Sequence, residues 1–143
     1  MTPRIGFVGL GKMGLPMAQR LVDAGLDPLV YDVAEPPRLV MKQQGARIAA
    51  AIRMVGGQCD VIGVCVPADQ HVRTVCEGPG GLFAAARPGT VIAIHSTVRP
   101  ATIVELGRAA AGRGFGFLDA CVSGGEAGAA DGTTLARTVT PSS

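Results

Sequence analysis

The chain has 143 residues, 48% of them hydrophobic, and its 13 basic and 11 acidic side chains leave a net charge of +2. That hydrophobic fraction is enough for a buried core, so the composition argues against a disordered chain. The charges are scattered without a basic run, which argues against a protein that binds nucleic acid electrostatically.

The sequence predicts a cytoplasmic protein without a membrane partner. It contains no stretch of about 18 apolar residues, the length needed to cross a bilayer. The amino-terminal residues run directly into a glycine-punctuated strand, without the charged and unbroken apolar segments of a signal peptide. No two of the cysteines form a C-x-x-C pair, which favours reduced and mostly buried thiols; they are Cys59, Cys65, Cys76 and Cys121.

Short apolar segments alternate along the chain with segments of helical periodicity. In chain order the sequence predicts a strand at 4–9, a helix at 12–25, a strand at 28–32, a helix at 35–44, a short strand at 47–49, a strand at 60–66, a helix at 69–76, a strand at 90–94, a helix at 100–112 and a strand at 115–120. Apolar strands separated by helices are typical of parallel sheets covered on both faces, so we predict an α/β fold with a doubly wound, mostly parallel sheet of about six strands.

A glycine-rich loop joins the first predicted strand to the first predicted helix. Its sequence, G-L-G-K-M-G, fits the pattern G-x-G-x-x-G. In that setting the first glycine permits a tight turn, the second lets a pyrophosphate approach the backbone, and the third lets the helix pack closely on the strand. The helix amino terminus attracts the phosphates. The loop therefore predicts a dinucleotide site that includes Gly9, Leu10, Gly11, Lys12, Met13 and Gly14.

Asp32 lies eighteen residues after Gly14, at the end of the second predicted strand. A carboxylate at this spacing accepts the ribose hydroxyls of NAD and repels the 2′-phosphate of NADP. No arginine follows it, since the next residues are Val33 and Ala34. The sequence therefore favours NAD over NADP as the cofactor, and the alternative is a solvated aspartate in a turn.

Three motifs resemble those of the β-hydroxyacid dehydrogenase family, which includes 3-hydroxyisobutyrate dehydrogenase and tartronate semialdehyde reductase. The first is IGFVGLGKMGLPMAQRL at 5–21, the second is HSTV at 95–98, and the third is LDACVSGG at 118–125, followed by G-A and G-T. They occur in the order of the family and at about its spacing. The resemblance runs from Ile5 to about Thr133.

The resemblance implies a Rossmann-type fold and hydride transfer between NAD(P) and a small 3-hydroxy acid such as 3-hydroxyisobutyrate. It also implies further cofactor-binding residues, namely Val66, Pro67, His71 and Thr97. It implies a substrate-carboxylate site as well, made by Ser123, Gly124 and Gly125. His95 is interpreted as a buried or hydrogen-bonded residue at a strand end rather than a general base. Cys121 replaces a proline of the family, and we interpret it as a small apolar filler.

The general acid/base of the family is a lysine on a later helix, followed by an all-helical second domain. The two lysines of this chain, Lys12 and Lys42, do not match that position. We therefore assign no catalytic residue, and we expect the helical domain to be absent and the chain to be inactive as a fragment. The division predicted is a cofactor-binding domain at 1–130 and an irregular tail, truncated or aberrant, at 131–143.

Two alternatives remain open from the sequence. A dehydrogenase-like domain without its lysine could be a non-catalytic dinucleotide-binding or scaffold module, and a homo-oligomer is compatible with either role. The chain could instead belong to an enzyme like 6-phosphogluconate dehydrogenase, which shares the stretch V-S-G-G-E-x-G-A at 122–129, or like an imine reductase. An NADP-preferring enzyme of the first kind predicts a basic residue near the end of the second strand in place of Asp32.

Overall fold

A computed structural model describes residues 3–120, which form one parallel sheet flanked by helices. The strands are β1 (Ile5–Val8), β2 (Leu29–Tyr31), β3 (Arg47–Ile48), β4 (Val61–Val64), β5 (Val91–Ile94) and β6 (Gly116–Asp119). The helices are α1 (Gly14–Asp23), α2 (Glu35–Gln43), α3 (Ile52–Gln58), α4 (Asp69–Glu77), α5 (Leu82–Ala85) and α6 (Pro100–Gly112).

The six strands lie in the order β3-β2-β1-β4-β5-β6, and every neighbouring pair is parallel. This is the strand order of the Rossmann fold, with the order reversing between β1 and β4. The predicted α/β fold with a doubly wound sheet of about six strands is therefore confirmed.

Helices cover both faces of the sheet because the apolar side chains of each strand point alternately to the two sides. On one face α1 packs against β1 and α2 against β2 and β3, burying Phe7, Met17 and Met41. On the other face α3 packs against β1 and β2 and α6 against β6, and together with α4 and α5 they enclose a core that includes Ile62 and Leu106. Among residues 3–120 no helix combines the length and apolar character that crossing a membrane requires.

The sequence did not predict two of the helices, α3 and α5. α3 has the sequence IRMVGGQ, and two adjacent glycines disfavour a helix in isolation. The structure explains Gly56, because a side chain at that position would lie 3.1 Å from the Leu82 carbonyl oxygen and 3.2 Å from Cβ of Ala85. Close packing on α5 therefore stabilises α3, whereas α5 has four residues and is too short to show a periodic pattern.

Two of the described cysteines are core residues, as predicted. Cys59 and Cys76 are 1% and 0% exposed. Burial raises the pKa of the Cys59 thiol to about 11 and that of the Cys76 thiol to about 12. Both are therefore protonated, apolar fillers at neutral pH. The prediction for Cys121 lies outside the described residues.

Candidate functional site

A cleft of about 670 Å³ opens at the carboxyl edge of the sheet, between the loops that follow β1, β2, β4 and β5. Ligands of open α/β sheets bind at such a point of strand-order reversal. Ten of the eleven predicted cofactor residues line it: Gly9, Gly11, Lys12, Met13, Gly14, Asp32, Val66, Pro67, His71 and Thr97. The eleventh, Leu10, has its side chain in the core at 2% exposure. The predicted substrate residues Ser123, Gly124 and Gly125 lie outside the described residues.

The three glycines of the loop differ in what surrounds them. Gly9 has a φ of +103°, and a Cβ there would collide with the Cys65 carbonyl oxygen. A Cβ at Gly14 would collide with the Gly9 carbonyl oxygen, so the turn and the start of α1 are in direct contact. A Cβ at Gly11 would meet no atom within 4 Å. The fold itself therefore requires the first and third glycines, while the middle one faces open space in the cleft.

The amino terminus of α1 lies beside this open space, since Met13 and Gly14 line the cleft with Gly11. Its N-cap residue is Met13, which makes no side-chain hydrogen bond, and its first turn contains no acidic residue. The amino terminus of a helix carries the positive end of the helix dipole. In α1 the Leu15 N–H already donates to the Gly11 carbonyl oxygen at 3.0 Å, and Pro16 has no N–H. The amide donors offered here are therefore those of Met13 and Gly14. The exposed Lys12 adds a positive charge beside them. This set of donors fits a pyrophosphate.

Asp32 directly follows β2 and has two backbone partners. Its Oδ2 accepts the Leu10 N–H at 2.7 Å, and its Oδ1 accepts the Ala34 N–H at 2.8 Å. An ionised carboxylate accepts about four hydrogen bonds, so each oxygen retains acceptor capacity toward the cleft. Asp32 therefore forms a turn with Ala34, as in the alternative interpretation, and at the same time lines the cleft.

The Leu10 contact shows a role that the sequence analysis missed. Leu10 contributes to the site through its N–H, which holds the Asp32 carboxylate beside the glycine loop. Other lining residues were also missed, among them Val33, Ile52, Thr74 and Val75. The sequence could have indicated Val33, because it directly follows Asp32. In the structure its apolar side chain is 83% exposed. A signal was available for Thr74 and Val75 too, since they lie about one helical turn after His71.

His95 lies on the floor of the cleft and is 2% exposed, which confirms its predicted burial at a strand end. Its Nδ1 lies 3.0 Å from the Ala120 carbonyl oxygen, which can only accept a hydrogen bond. Nδ1 therefore carries the proton and acts as the donor. Its ring stacks on Phe7 with centroids 6.0 Å apart. Burial lowers the pKa of the imidazole from 6.5 to about 4, so His95 is neutral at neutral pH.

We expect His95 to make the folded chain less stable as the pH falls from about 7 to about 4. In this window the unfolded chain binds a proton at an ordinary imidazole pKa of 6.5, while the folded chain does not until about pH 4. At about pH 4 the unfolding free energy should be lower by on the order of 3 kcal/mol than at pH 7. Urea denaturation at a series of pH values measures it.

The variant His95→Gln controls for the carboxylates, which titrate in both proteins. Asp69 is one of them, because its lowered pKa also makes stability fall with pH. The variant lacks the imidazole, so its unfolding free energy should fall less steeply between pH 7 and pH 4. Equal slopes in the two proteins would show that His95 titrates in the folded chain much as in the unfolded one.

Comparison with known proteins gives the same picture. Residues 4–138 match the family model described as the NAD binding domain of 6-phosphogluconate dehydrogenase. An uncharacterized oxidoreductase of Mycobacterium tuberculosis is 40% identical over 131 residues, which cover 92% of this chain and 44% of that protein. The NAD-dependent L-serine dehydrogenase of Pseudomonas aeruginosa is 40% identical over 130 residues, which cover 91% of this chain and 44% of that protein.

A solved structure supports the match at the level of the fold. The 3-hydroxyisobutyrate dehydrogenase of Mycobacterium tuberculosis with L-serine superimposes with a TM-score of 0.84 at 31% identity, covering 97% of this chain and 50% of that one. The chain thus spans about half the length of the relatives that it matches. On the family match, the strand order and the glycine-loop cleft, the chain belongs to the family of NAD binding domains found in 6-phosphogluconate dehydrogenase and the β-hydroxyacid dehydrogenases.

Proposed function

We propose that the chain is the cofactor-binding part of an oxidoreductase that transfers hydride between NAD and a small 3-hydroxy acid of the 3-hydroxyisobutyrate type. The observation that carries the proposal is the Asp32 carboxylate, held by the Leu10 amide at the edge of the glycine-loop cleft. The names of two similar proteins, an L-serine dehydrogenase and a 3-hydroxyisobutyrate dehydrogenase, support a small hydroxy acid as the substrate class.

The adenosine half of the cofactor belongs at the ends of β1 and β2. The remaining acceptor capacity of Asp32 suits the two ribose hydroxyls, which donate hydrogen bonds. A 2′-phosphate there would place negative charge beside an ionised carboxylate. The next residue, Val33, is apolar and exposed, so it offers no positive charge to a phosphate. These features favour NAD over NADP.

The pyrophosphate belongs over Gly11, where the cleft is open to the backbone and the amino terminus of α1 supplies amide donors. Lys12 adds charge on the same side. The nicotinamide half then lies across the strand-order reversal, against Val66, Pro67 and Thr97. When bound, the nicotinamide supplies the hydride chemistry, and these residues of the chain orient it.

We place the substrate carboxylate at Ser123, Gly124 and Gly125, which follow β6 in the chain. A serine hydroxyl and two successive backbone amides are a suitable cradle for a small anion. Neither lysine serves as a proton acceptor for the substrate, because Lys12 lies at the phosphate side and Lys42 is exposed on α2. We therefore expect the domain at 1–130 to bind cofactor, and the 143-residue chain to show no turnover.

Calorimetric titration of the purified chain with NAD and with NADP tests the cofactor assignment. We expect NAD to bind at least about tenfold more tightly, because one close charge repulsion is worth about 1.4 kcal/mol or more. In Asp32→Asn the negative charge is removed while the side-chain shape stays, so the ratio of the two affinities should move toward one.

Asp27→Asn is the matched control, because it makes the same change at an exposed aspartate elsewhere in the chain. Asp27 precedes β2, at the edge of the sheet opposite the cleft, and forms an ion pair with Arg47. It should leave the preference for NAD as it is in the unaltered chain. NADP binding as tightly as NAD to the unaltered chain contradicts the assignment to NAD, and absence of binding by both contradicts the proposed function.

A further inference from the structure

Two hydrogen-bonded ties join the segment after β4, from its loop into α4, to the segment after β5, from its loop into α6. In the first, the Val66 N–H donates to Oγ of Ser96 at 2.8 Å, and Ser96 is 4% exposed. In the second, Oδ2 of Asp69 accepts the Arg99 N–H at 3.0 Å and the Thr102 hydroxyl at 2.6 Å. The residues of each tie lie about 30 positions apart in the chain, so they join separate segments.

The second tie also caps a helix from outside. The N-cap residue of α6 is Arg99, which makes no side-chain capping bond of its own. The Asp69 carboxylate takes that role, while it also lies in the first turn of α4. One negative charge therefore lies at two helix amino termini, which is favourable at both. The Thr102 hydroxyl and then the Arg99 amide hold the pKa of this carboxyl below its usual range.

The first tie lies in the wall of the cleft, and the second joins residues that follow this wall in the chain by two or more positions. Val66 and Pro67 line it from the loop after β4, and Ser96 and Thr97 line it from the loop after β5. The glycine loop and Asp32 come instead from β1 and β2, on the other side of the strand-order reversal. The ties therefore set the separation of the two loops that face the second half of a bound dinucleotide.

We propose that Ser96 and Asp69 are positioning residues that hold these two loops at the separation needed by the nicotinamide half of the cofactor. The proposal rests on NAD being the ligand of the cleft. In Ser96→Ala the half-buried Val66 N–H loses its acceptor, and in Asp69→Ala the amino terminus of α6 loses its cap. Either change removes one of the two ties and lets the two loops move more freely relative to each other, without touching the glycine loop.

Titration of each variant of the full chain with NAD and with ADP tests the proposal. ADP carries the adenosine and pyrophosphate parts only, so it reports on the glycine loop and Asp32. We expect NAD to bind about fivefold more weakly to either variant, the effect of one lost hydrogen bond, and ADP to change by less than about twofold. A general loss of structure would weaken the binding of both ligands by the same factor.

NADH supplies a second readout, because its fluorescence comes from the nicotinamide ring. The polarisation of bound NADH should fall in both variants, since the ring is held less firmly. Glu105→Gln is the control. It removes the charge of an exposed ion pair between α4 and α6, in which Glu105 lies 2.6 Å from Arg73. Neither residue lines the cleft. It should alter neither ligand.

The outcomes separate the two proposals. If the unaltered chain binds ADP and NAD, and the variants lose affinity for both ligands equally or for neither, the positioning role is overturned and the proposed function still stands. An unaltered chain that binds neither ligand overturns the proposed function and the positioning role together. Thermal unfolding of each variant shows that the comparison is made on folded protein.

Discussion

Gly9→Ala is expected to remove a large part of the folding stability of the chain. The residue has a φ of +103°, a strained backbone conformation that costs alanine about 1 kcal/mol or more. Its new Cβ would also collide with the carbonyl oxygen of Cys65, a backbone atom just beyond β4 that cannot rotate away. Overpacking of this kind costs a further 1–3 kcal/mol, so the total is roughly 2–4 kcal/mol. Urea denaturation measures the loss.

Gly89→Ala separates the two causes. Gly89 has a similar φ of +95°, but a Cβ there would meet no atom within 4 Å. This variant should lose only the backbone contribution of about 1 kcal/mol or more. If both variants lose the same free energy, the collision with the Cys65 carbonyl oxygen adds nothing to the loss, and the close approach of the glycine loop to the end of β4 does not require a glycine.

The sequence predicted most of the fold because its local signals agree with its tertiary structure. The last helix is an example, since the predicted bounds of 100–112 and the observed Pro100–Gly112 coincide. Its start is marked by a proline in the first turn, where the missing N–H costs nothing. α3 is the opposite case, because Gly56 disfavours a helix locally and is explained only by contact with α5.

The candidate site was predicted where a local pattern carries the information. The glycine spacing and the position of Asp32 are such patterns, and the residues concerned do meet at one cleft. The contacts that hold the site together were not predicted, because each joins segments distant in the chain. The Leu10 N–H meets Asp32 across 22 residues, and Ser96 meets Val66 across 30. No periodicity or spacing rule connects such pairs.

The same limit explains why three glycines in one motif act differently. A pattern assigns Gly9, Gly11 and Gly14 their general roles, but only the surrounding atoms show which substitution the fold can accept. The first and third are in contact with backbone oxygens, whereas the second is exposed in the cleft. A variant at Gly11 can therefore separate ligand binding from folding, which variants at the other two cannot do.

Gly11→Ala is expected to leave the stability of the chain unchanged within about 0.5 kcal/mol and to weaken NAD binding by about tenfold to a hundredfold. The backbone of Gly11 does not have a positive φ, and its Cβ position is free of protein atoms. The methyl group would instead occupy the space through which a pyrophosphate reaches the amides of α1. Hydrogen bonds to a charged group are worth about 1.5–3 kcal/mol, and the methyl group would lengthen or break one. Titration with NAD and urea denaturation measure the two quantities.

Gly112→Ala is the control for Gly11→Ala, because its Cβ would also meet no atom within 4 Å and it lies at the end of α6, outside the residues that line the cleft. It should leave NAD binding unchanged and raise stability slightly, since alanine favours a helix over glycine. If Gly11→Ala binds NAD as tightly as Gly112→Ala does, the pyrophosphate does not pass over the glycine loop. The open space at Gly11 would then need another explanation, because the fold itself does not require a glycine there.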